Sequence, residues 1–121
     1  GGTIVETWTS LEAANTLPQK RLDRYNKNEK LFPPTEYLTR KNKEAKRNDY
    51  PSLVYNAMIH PLLSFSIKGV LWYQGENNVG NAEPYTDWLT CMIGDWRNMM
   101  AIPVVWDSFF LTMLIWIAEE S

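Results

Sequence analysis

The stretch Ile67-Lys68-Gly69-Val70-Leu71-Trp72-Tyr73 decides the predicted fold, because it is a short apolar run that ends in the polar pair Gln74-Gly75. Such a run is typical of a buried strand in a parallel sheet. After a polar loop, apolar residues recur at steps of three and four between positions 85 and 96, which predicts an amphipathic helix. The β-branched run over 102–106 predicts a second buried strand. Strand, helix and strand form a βαβ unit, so we expect an α/β fold with a parallel central sheet.

The N-terminal half shows weaker signals. Residues 3–8 predict a short strand, and Thr9-Ser10 predict the cap of a short helix over 11–15. Pro18 is suited to open a helix that runs to about residue 31. The pair Pro33-Pro34 ends this helix.

We expect residues 18–51 to form a helical or loop insertion in a single domain that spans 1–121. Within it, 36–47 has the composition of a surface helix. Ser52 is a candidate N-cap for a helix over 53–59, which Pro61 ends or bends. Residues 107–121 form an apolar tail that is too short and too interrupted to span a bilayer.

Composition excludes several classes of protein. The 121 residues carry 12 basic and 14 acidic side chains, a net charge of −2, which argues against a general nucleic-acid binder. One cysteine, Cys91, excludes an internal disulfide and any multi-cysteine metal site. The single histidine, His60, leaves little material for acid–base chemistry, and we expect it to be a structural or surface residue. No cofactor is expected, and the acidic residues near Glu76 lack the imidazole or thiolate that zinc prefers, so no metal is expected either.

The loop over 74–81 would follow the first strand, at the edge of a parallel sheet where ligands bind. Its amide, carboxylate and glycine residues suit polar recognition, but they are equally consistent with turn formation and helix capping. The sequence also leaves two roles possible for Trp72 and Tyr73, because these side chains could border a sugar site or pack in the core.

Three blocks, in order, resemble the sialate O-acetylesterase family of SGNH-type carbohydrate esterases. The strand and loop Gly69-Val70-Leu71-Trp72-Tyr73-Gln74-Gly75-Glu76-Asn77-Asn78 is similar to the Trp-Tyr-Gln-Gly-Glu-Ser-Asn block of that family. The N-terminal run Gly1-Gly2-Thr3-Ile4-Val5-Glu6-Thr7-Trp8 resembles its Gly-Gly-Thr…Glu-Ala-Trp block, and Tyr55-Asn56-Ala57-Met58-Ile59 resembles its Tyr-Asn-Gly/Ala-Met-Ile block. The resemblance implies part of a three-layer α/β/α sandwich.

The resemblance also implies a serine nucleophile that attacks an O-acetyl ester on a sugar such as sialic acid and leaves an acyl-enzyme. Carried onto this chain, Gly2 and Gln74 match positions on the oxyanion side of the site. Glu76, Asn78 and Tyr73 match positions that contact or shape the substrate pocket. The implied partner is an O-acetylated glycan, with no nucleic acid and no membrane span, and family members are often secreted or periplasmic.

The sequence departs from the family at informative places. It contains neither the Gly-Gln-Ser-Asn block of the nucleophile nor the Asp-x-x-His pair, since Ala57 lies three residues before His60. Asn77 stands where the family commonly has serine. We therefore expect these 121 residues to be inactive alone. The alternatives are a non-catalytic carbohydrate-binding remnant and a partial gene product without independent function.

Overall fold

The computed structural model describes residues 2–31, 49–67 and 70–100, and every regular element in those ranges is helical. We label the three α-helices α1 (Leu11–Ala14), α2 (Asp23–Leu31) and α3 (Tyr85–Met100). A π-helical turn spans Tyr55–Ile59. The short 3₁₀ turns lie at Val5–Trp8, Gln19–Arg21, His60–Leu62 and Glu76–Asn81.

The helix α3 confirms the prediction from periodicity and is the longest described element. Its apolar stripe is buried at Trp88, Leu89, Met92 and Trp96, and each such side chain contributes about 1.5–3 kcal/mol when it leaves water. Asp95 is an exception to the amphipathic pattern, because charged residues of such a helix are expected on the face opposite the apolar stripe, yet Asp95 is only 8% exposed.

The predicted parallel sheet is wrong for the part of the chain that the structure describes. The predicted strand over residues 3–8 is a 3₁₀ turn at Val5–Trp8, and no strand occurs at Ile67 or between Val70 and Tyr73. The alternation expected of a strand is nevertheless present, because Trp72 and Gln74 are buried while Leu71 and Tyr73 are 91% and 77% exposed. A strand also needs a neighbour to pair with, and no described segment lies alongside this one as a partner strand. The predicted α/β/α sandwich is therefore absent from residues 2–31, 49–67 and 70–100.

The N-terminal cap prediction is confirmed. Ser10 is the N-cap of α1, and its Oγ accepts a hydrogen bond from the backbone N–H of Ala13 at 3.1 Å. The same Oγ–H donates to Asp95 Oδ1 at 2.9 Å, and the Ser10 N–H donates to Asp95 Oδ2 at 3.0 Å. One buried carboxylate therefore fixes α3 to the start of α1.

Aromatic side chains hold the elements together. The rings of Trp8, Trp72 and Trp96 meet one another, with Trp72 edge-on to both of the others at centroid distances of 5.2 and 5.6 Å. Edge-to-face contact is a favoured arrangement of aromatic rings. The Trp96 indole N–H donates to the Trp8 carbonyl at 3.0 Å. This cluster joins the N-terminal segment, the segment before the 74–81 loop and α3.

The described part of the predicted 18–51 insertion packs into the same core. The helix before residue 31 occurs as predicted, as a 3₁₀ turn followed by α2. Leu22 and Tyr25 are buried, and Tyr25 stacks on Trp88 with ring centroids 5.5 Å apart. Four predictions lie outside the described residues, namely those for Pro33-Pro34, 36–47, 102–106 and 107–121.

The helix predicted over 53–59 occurs, but its N-cap differs. Ser52 has a positive φ of 56°, and its Oγ lies 2.9 Å from the hydroxyl of Tyr25 rather than on the first turn. The turn then widens to the π form, and Tyr55 and Ile59 are buried. Among the described helices, none is long and apolar enough to cross a membrane.

Candidate functional site

Two of the sequence blocks meet through Gln74. Its side-chain Nε2 donates to the carbonyl of Thr3 at 2.7 Å and to Asn78 Oδ1 at 2.7 Å. The hydroxyl of Tyr85, at the start of α3, lies 3.2 Å from Gln74 Oε1 and 3.0 Å from the Gln74 carbonyl. The Gln74 side chain is 9% exposed. Both of its amide hydrogens therefore have acceptors inside the protein.

Asn78 joins the same blocks a second time. Its Oδ1 accepts from the Val5 N–H at 3.1 Å as well as from Gln74, and its Nδ2 donates to Glu6 Oε2 at 3.2 Å. The side chain is 2% exposed. An amide offers both donors and acceptors, and here both ends bind the N-terminal segment. Asn78 thus fixes the loop over 74–81 against residues 5 and 6.

Glu6 completes the network with a buried charge. Its carboxylate is 1% exposed, and its Oε1 accepts from Arg24 Nε at 2.7 Å and lies 2.5 Å from a second guanidinium nitrogen. A buried carboxylate is tolerated when it is paired and hydrogen-bonded. Arg24 lies on α2, so the helix supplies the counter-charge for the segment that carries the first sequence block.

Gly2 and Asn77 lie at the exposed end of this network. Gly2 has φ +78°, and a Cβ added there would lie 3.2 Å from Asn77 Nδ2. A positive φ of this size favours glycine, and the close amide adds a steric reason. Gly2 therefore lies beside the exposed side chain of Asn77, one residue before Thr3, whose carbonyl accepts from Gln74.

The remaining predicted site residues are on the surface. Tyr73 and Glu76 are exposed, whereas Trp72 belongs to the aromatic core. The structure thus answers the question left open for Trp72 and leaves the Tyr73 ring accessible to a ligand. It brings Gln74 and Asn78 together within one hydrogen-bonded unit, and Gly2 lies beside that unit next to Asn77.

His60 and Cys91 take no part in this unit. His60 is exposed, with its ring edge-on to Tyr55 at 6.3 Å. The Cys91 thiol is half-buried, donates to the carbonyl of Ala13 at 3.2 Å, and has its pKa raised by burial. No three of the described His, Cys, Asp and Glu side chains are grouped so as to hold a metal ion.

Sequence reasoning missed Glu6 and Arg24 as members of the site. Glu6 is the only charged residue in the otherwise uncharged run from Gly1 to Leu11, and this was a usable signal for a buried, paired carboxylate. Arg24 gave no such signal, because it lies in a segment with many exposed charges. The hydrogen-bonded network fixes the conformation of the 74–81 loop and leaves polar side chains on its surface. Among the described residues of this network, no serine is paired with a histidine.

Comparison with known proteins identifies similar sequences. A rat sialate O-acetylesterase is 33% identical over 117 residues, a human one is 35% identical over 102 residues, and a mouse one is 33% identical over 111 residues. Each match covers 81% of this chain.

The match is confined to part of those relatives. The chain spans 20% of the rat and mouse proteins and 16% of the human protein. No protein-family profile matches the chain, and no solved structure matches it. The resemblance carried by the three sequence blocks is confirmed, and the chain is related in sequence to a segment of the sialate O-acetylesterases.

Proposed function

We propose that this chain provides the oxyanion side of a carbohydrate O-acetylesterase that hydrolyses O-acetyl esters of sugars such as sialic acid. The observation that carries the proposal is the buried network in which Gln74 and Asn78 bind Thr3, Val5 and Glu6. It joins the two sequence blocks that resemble the oxyanion-side blocks of the family. In the proposal this network fixes the backbone of the N-terminal segment, and the backbone N–H of that segment is the pre-organised donor that stabilises the charge developing on an ester oxygen.

In this proposal the residues have separate roles. The Gly2 backbone lies at the ester carbonyl, Asn78 holds the loop, and exposed Tyr73 and Glu76 contact the sugar. The nucleophilic serine and the catalytic histidine are outside residues 1–121, so the chain alone does not turn over the ester. Purified chain should therefore hydrolyse p-nitrophenyl acetate no faster than buffer, and catalytic turnover would contradict this part of the proposal.

A segment exchange tests the esterase function itself. The matching segment of the rat sialate O-acetylesterase is replaced by this chain, and acetate release from O-acetylated sialic acid is measured. We expect the hybrid to keep activity within about tenfold of the rat enzyme, because well-placed donors each contribute about 10²–10³ in rate. A folded hybrid without activity would refute the proposal.

A matched pair of variants in the hybrid locates the effect. Asn78→Ala removes the amide that holds Val5 and Gln74, and we expect a large fall in kcat with a smaller change in KM. Asn98→Ala alters an exposed amide on the last turn of α3 and should leave both constants unchanged. Equal effects of the two substitutions would show that the network has no special place in the reaction.

The second candidate is a non-catalytic carbohydrate-binding segment, and the exposure of Tyr73 favours it, because aromatic faces can stack on sugar rings. It predicts that the isolated chain binds acetylated and unacetylated sugars while the hybrid enzyme is inactive. The remaining alternative, a partial gene product without independent function, predicts that the isolated chain lacks a cooperative unfolding transition.

A further inference from the structure

The backbone decides which way two buried amides face. The Val5 N–H can only donate, so the Asn78 atom that lies 3.1 Å from its nitrogen is the acceptor Oδ1. The Thr3 carbonyl can only accept, so the Gln74 atom that lies 2.7 Å from its oxygen is the donor Nε2. That Nε2 donates to Asn78 Oδ1 as well. The NH₂ end of Asn78 is therefore turned toward Glu6, where it needs an acceptor.

Glu6 supplies this acceptor because a carboxylate has no N–H of its own. Its Oε2 accepts from Asn78 Nδ2 at 3.2 Å, and its Oε1 accepts from Arg24 Nε at 2.7 Å. Glu6 is 1% exposed, and a charge buried to this degree is tolerated when it lies beside a counter-charge. In the part of the chain that the structure describes, the guanidinium of Arg24 is the cation paired with Glu6. The acceptor at position 6 thus has a donor on each side of it.

We infer that Arg24 is a positioning residue of the proposed ester site. Its charge keeps Glu6 an acceptor on both oxygens, and Glu6 orients the Asn78 amide so that its oxygen holds the Val5 N–H. Gly2 lies in the same N-terminal segment as Val5, so the placing of its N–H depends on a helix residue outside the three family-like blocks. The inference rests on the proposed function and adds a residue that acts on the site through two others.

Glutamine substitutions test this pattern of donors and acceptors. Glu6→Gln keeps the shape of the side chain, but its NH₂ group must face a donor of either Arg24 or Asn78. In the hybrid enzyme described above, we expect kcat to fall about tenfold or more with a smaller change in KM, because one buried donor is left without an acceptor.

The double variant Glu6→Gln/Arg24→Gln should regain most of the lost kcat. The amide of glutamine lies as many bonds from Cα as the Nε of arginine, so at position 24 its oxygen accepts from the NH₂ group at position 6. The oxygen at position 6 then remains for Asn78, and a neutral pair with all its bonds made replaces a buried ion pair at little cost. Arg24→Lys keeps the charge and should retain more kcat than Arg24→Gln. Arg21→Gln is the matched control, because Arg21 pairs with Glu83 and Asp87 instead of the network, and it should leave kcat and KM unchanged.

Hydrogen exchange of the Val5 N–H in the 121-residue chain gives a readout that does not need activity. We expect exchange at least about fivefold faster in Glu6→Gln, as for the loss of one hydrogen bond, and slow again in the double variant. Full kcat in a folded Glu6→Gln hybrid, a folded double variant no more active than Glu6→Gln, or equal kcat in Arg24→Lys and Arg24→Gln would overturn the inference. An inactive unsubstituted hybrid would refute the esterase proposal, and equal exchange of Val5 in all variants would separately overturn the role of Arg24.

Discussion

Substituting Asp95 by asparagine should destabilise the fold far more than the same change at Asp87 on the same helix. Asp95 is buried and receives the N–H and the O–H of Ser10 on its two carboxylate oxygens. Asparagine has the same shape but keeps a single acceptor oxygen. Its NH₂ group would face one of the two Ser10 donors, so that donor is left buried without an acceptor.

The expected magnitude follows from these bonds. A hydrogen bond to a charged group contributes about 1.5–3 kcal/mol, and Asp95→Asn removes one such bond and weakens the other. Loss of the buried charge itself offsets part of this cost. We therefore expect the free energy of unfolding to fall by about 2–3 kcal/mol. Asp87 pairs with Arg21 at 2.6 Å but is nearly half exposed, so Asp87→Asn should change it by less than about 0.5 kcal/mol.

The assay is urea unfolding followed by tryptophan fluorescence, with Ser10→Ala and the double variant Ser10→Ala/Asp95→Asn completing a double-mutant cycle. Residues that share hydrogen bonds show coupling energies of about 0.5–3 kcal/mol. We expect at least about 1 kcal/mol here. Additive effects in the cycle, or equal effects of the changes at Asp95 and Asp87, would refute the assigned role of the carboxylate.

Three further predictions concern other sites. Burial raises the pKa of Tyr85, so the stabilisation linked to this shift is complete below about pH 10 and is lost as the pH rises through the folded-state pKa. In Tyr85→Phe, the free energy of unfolding should therefore fall less steeply between about pH 9 and 11. An unchanged slope of unfolding free energy against pH would contradict this. Gly2→Ala introduces a Cβ at φ +78° beside Asn77 and should cost about 1 kcal/mol in urea unfolding, whereas no change would show that this backbone is not held. Because burial raises the pKa of Cys91, its thiol should react with a disulfide reagent at pH 8 at least about tenfold more slowly in the folded chain than in urea; equal rates would refute the burial.

Local signals in the sequence predicted local structure well. The periodic spacing of Trp88, Met92 and Trp96 is sufficient to place α3, and Ser10 is sufficient to place the cap of α1. Asp95 could not be assigned from periodicity, because its burial depends on a donor 85 residues away. Helical periodicity predicts which face of the helix a side chain lies on, but it does not predict whether a residue distant in the sequence will form a hydrogen bond with that side chain.

The sheet could not be predicted correctly for a related reason. The alternation around Trp72 is a real property of the segment, but strand formation requires a paired neighbour, and pairing is non-local. The candidate site shows the same contrast between local signals, which the sequence carries, and contacts with distant residues, which it does not. The resemblance of the blocks predicted oxyanion-side positions at Gly2 and Gln74 and a pocket-shaping position at Asn78, and it gave no indication that Asn78 would be a buried link to Glu6.

The bonds that secure the N-terminal segment have a consequence for how the chain folds. Several of them link positions 71 to 88 residues apart, as between Thr3 and Gln74 and between Trp8 and Trp96, whereas Glu6 binds Arg24 only 18 residues away. Closing a loop of about 85 residues instead of about 10 costs roughly 2 kcal/mol of extra chain entropy, and long-range contacts slow folding. During synthesis, Trp8 and Ser10 cannot reach their contacts with α3 until that helix has left the ribosome. The N-terminal segment therefore completes its contacts only after residue 96 has been synthesised.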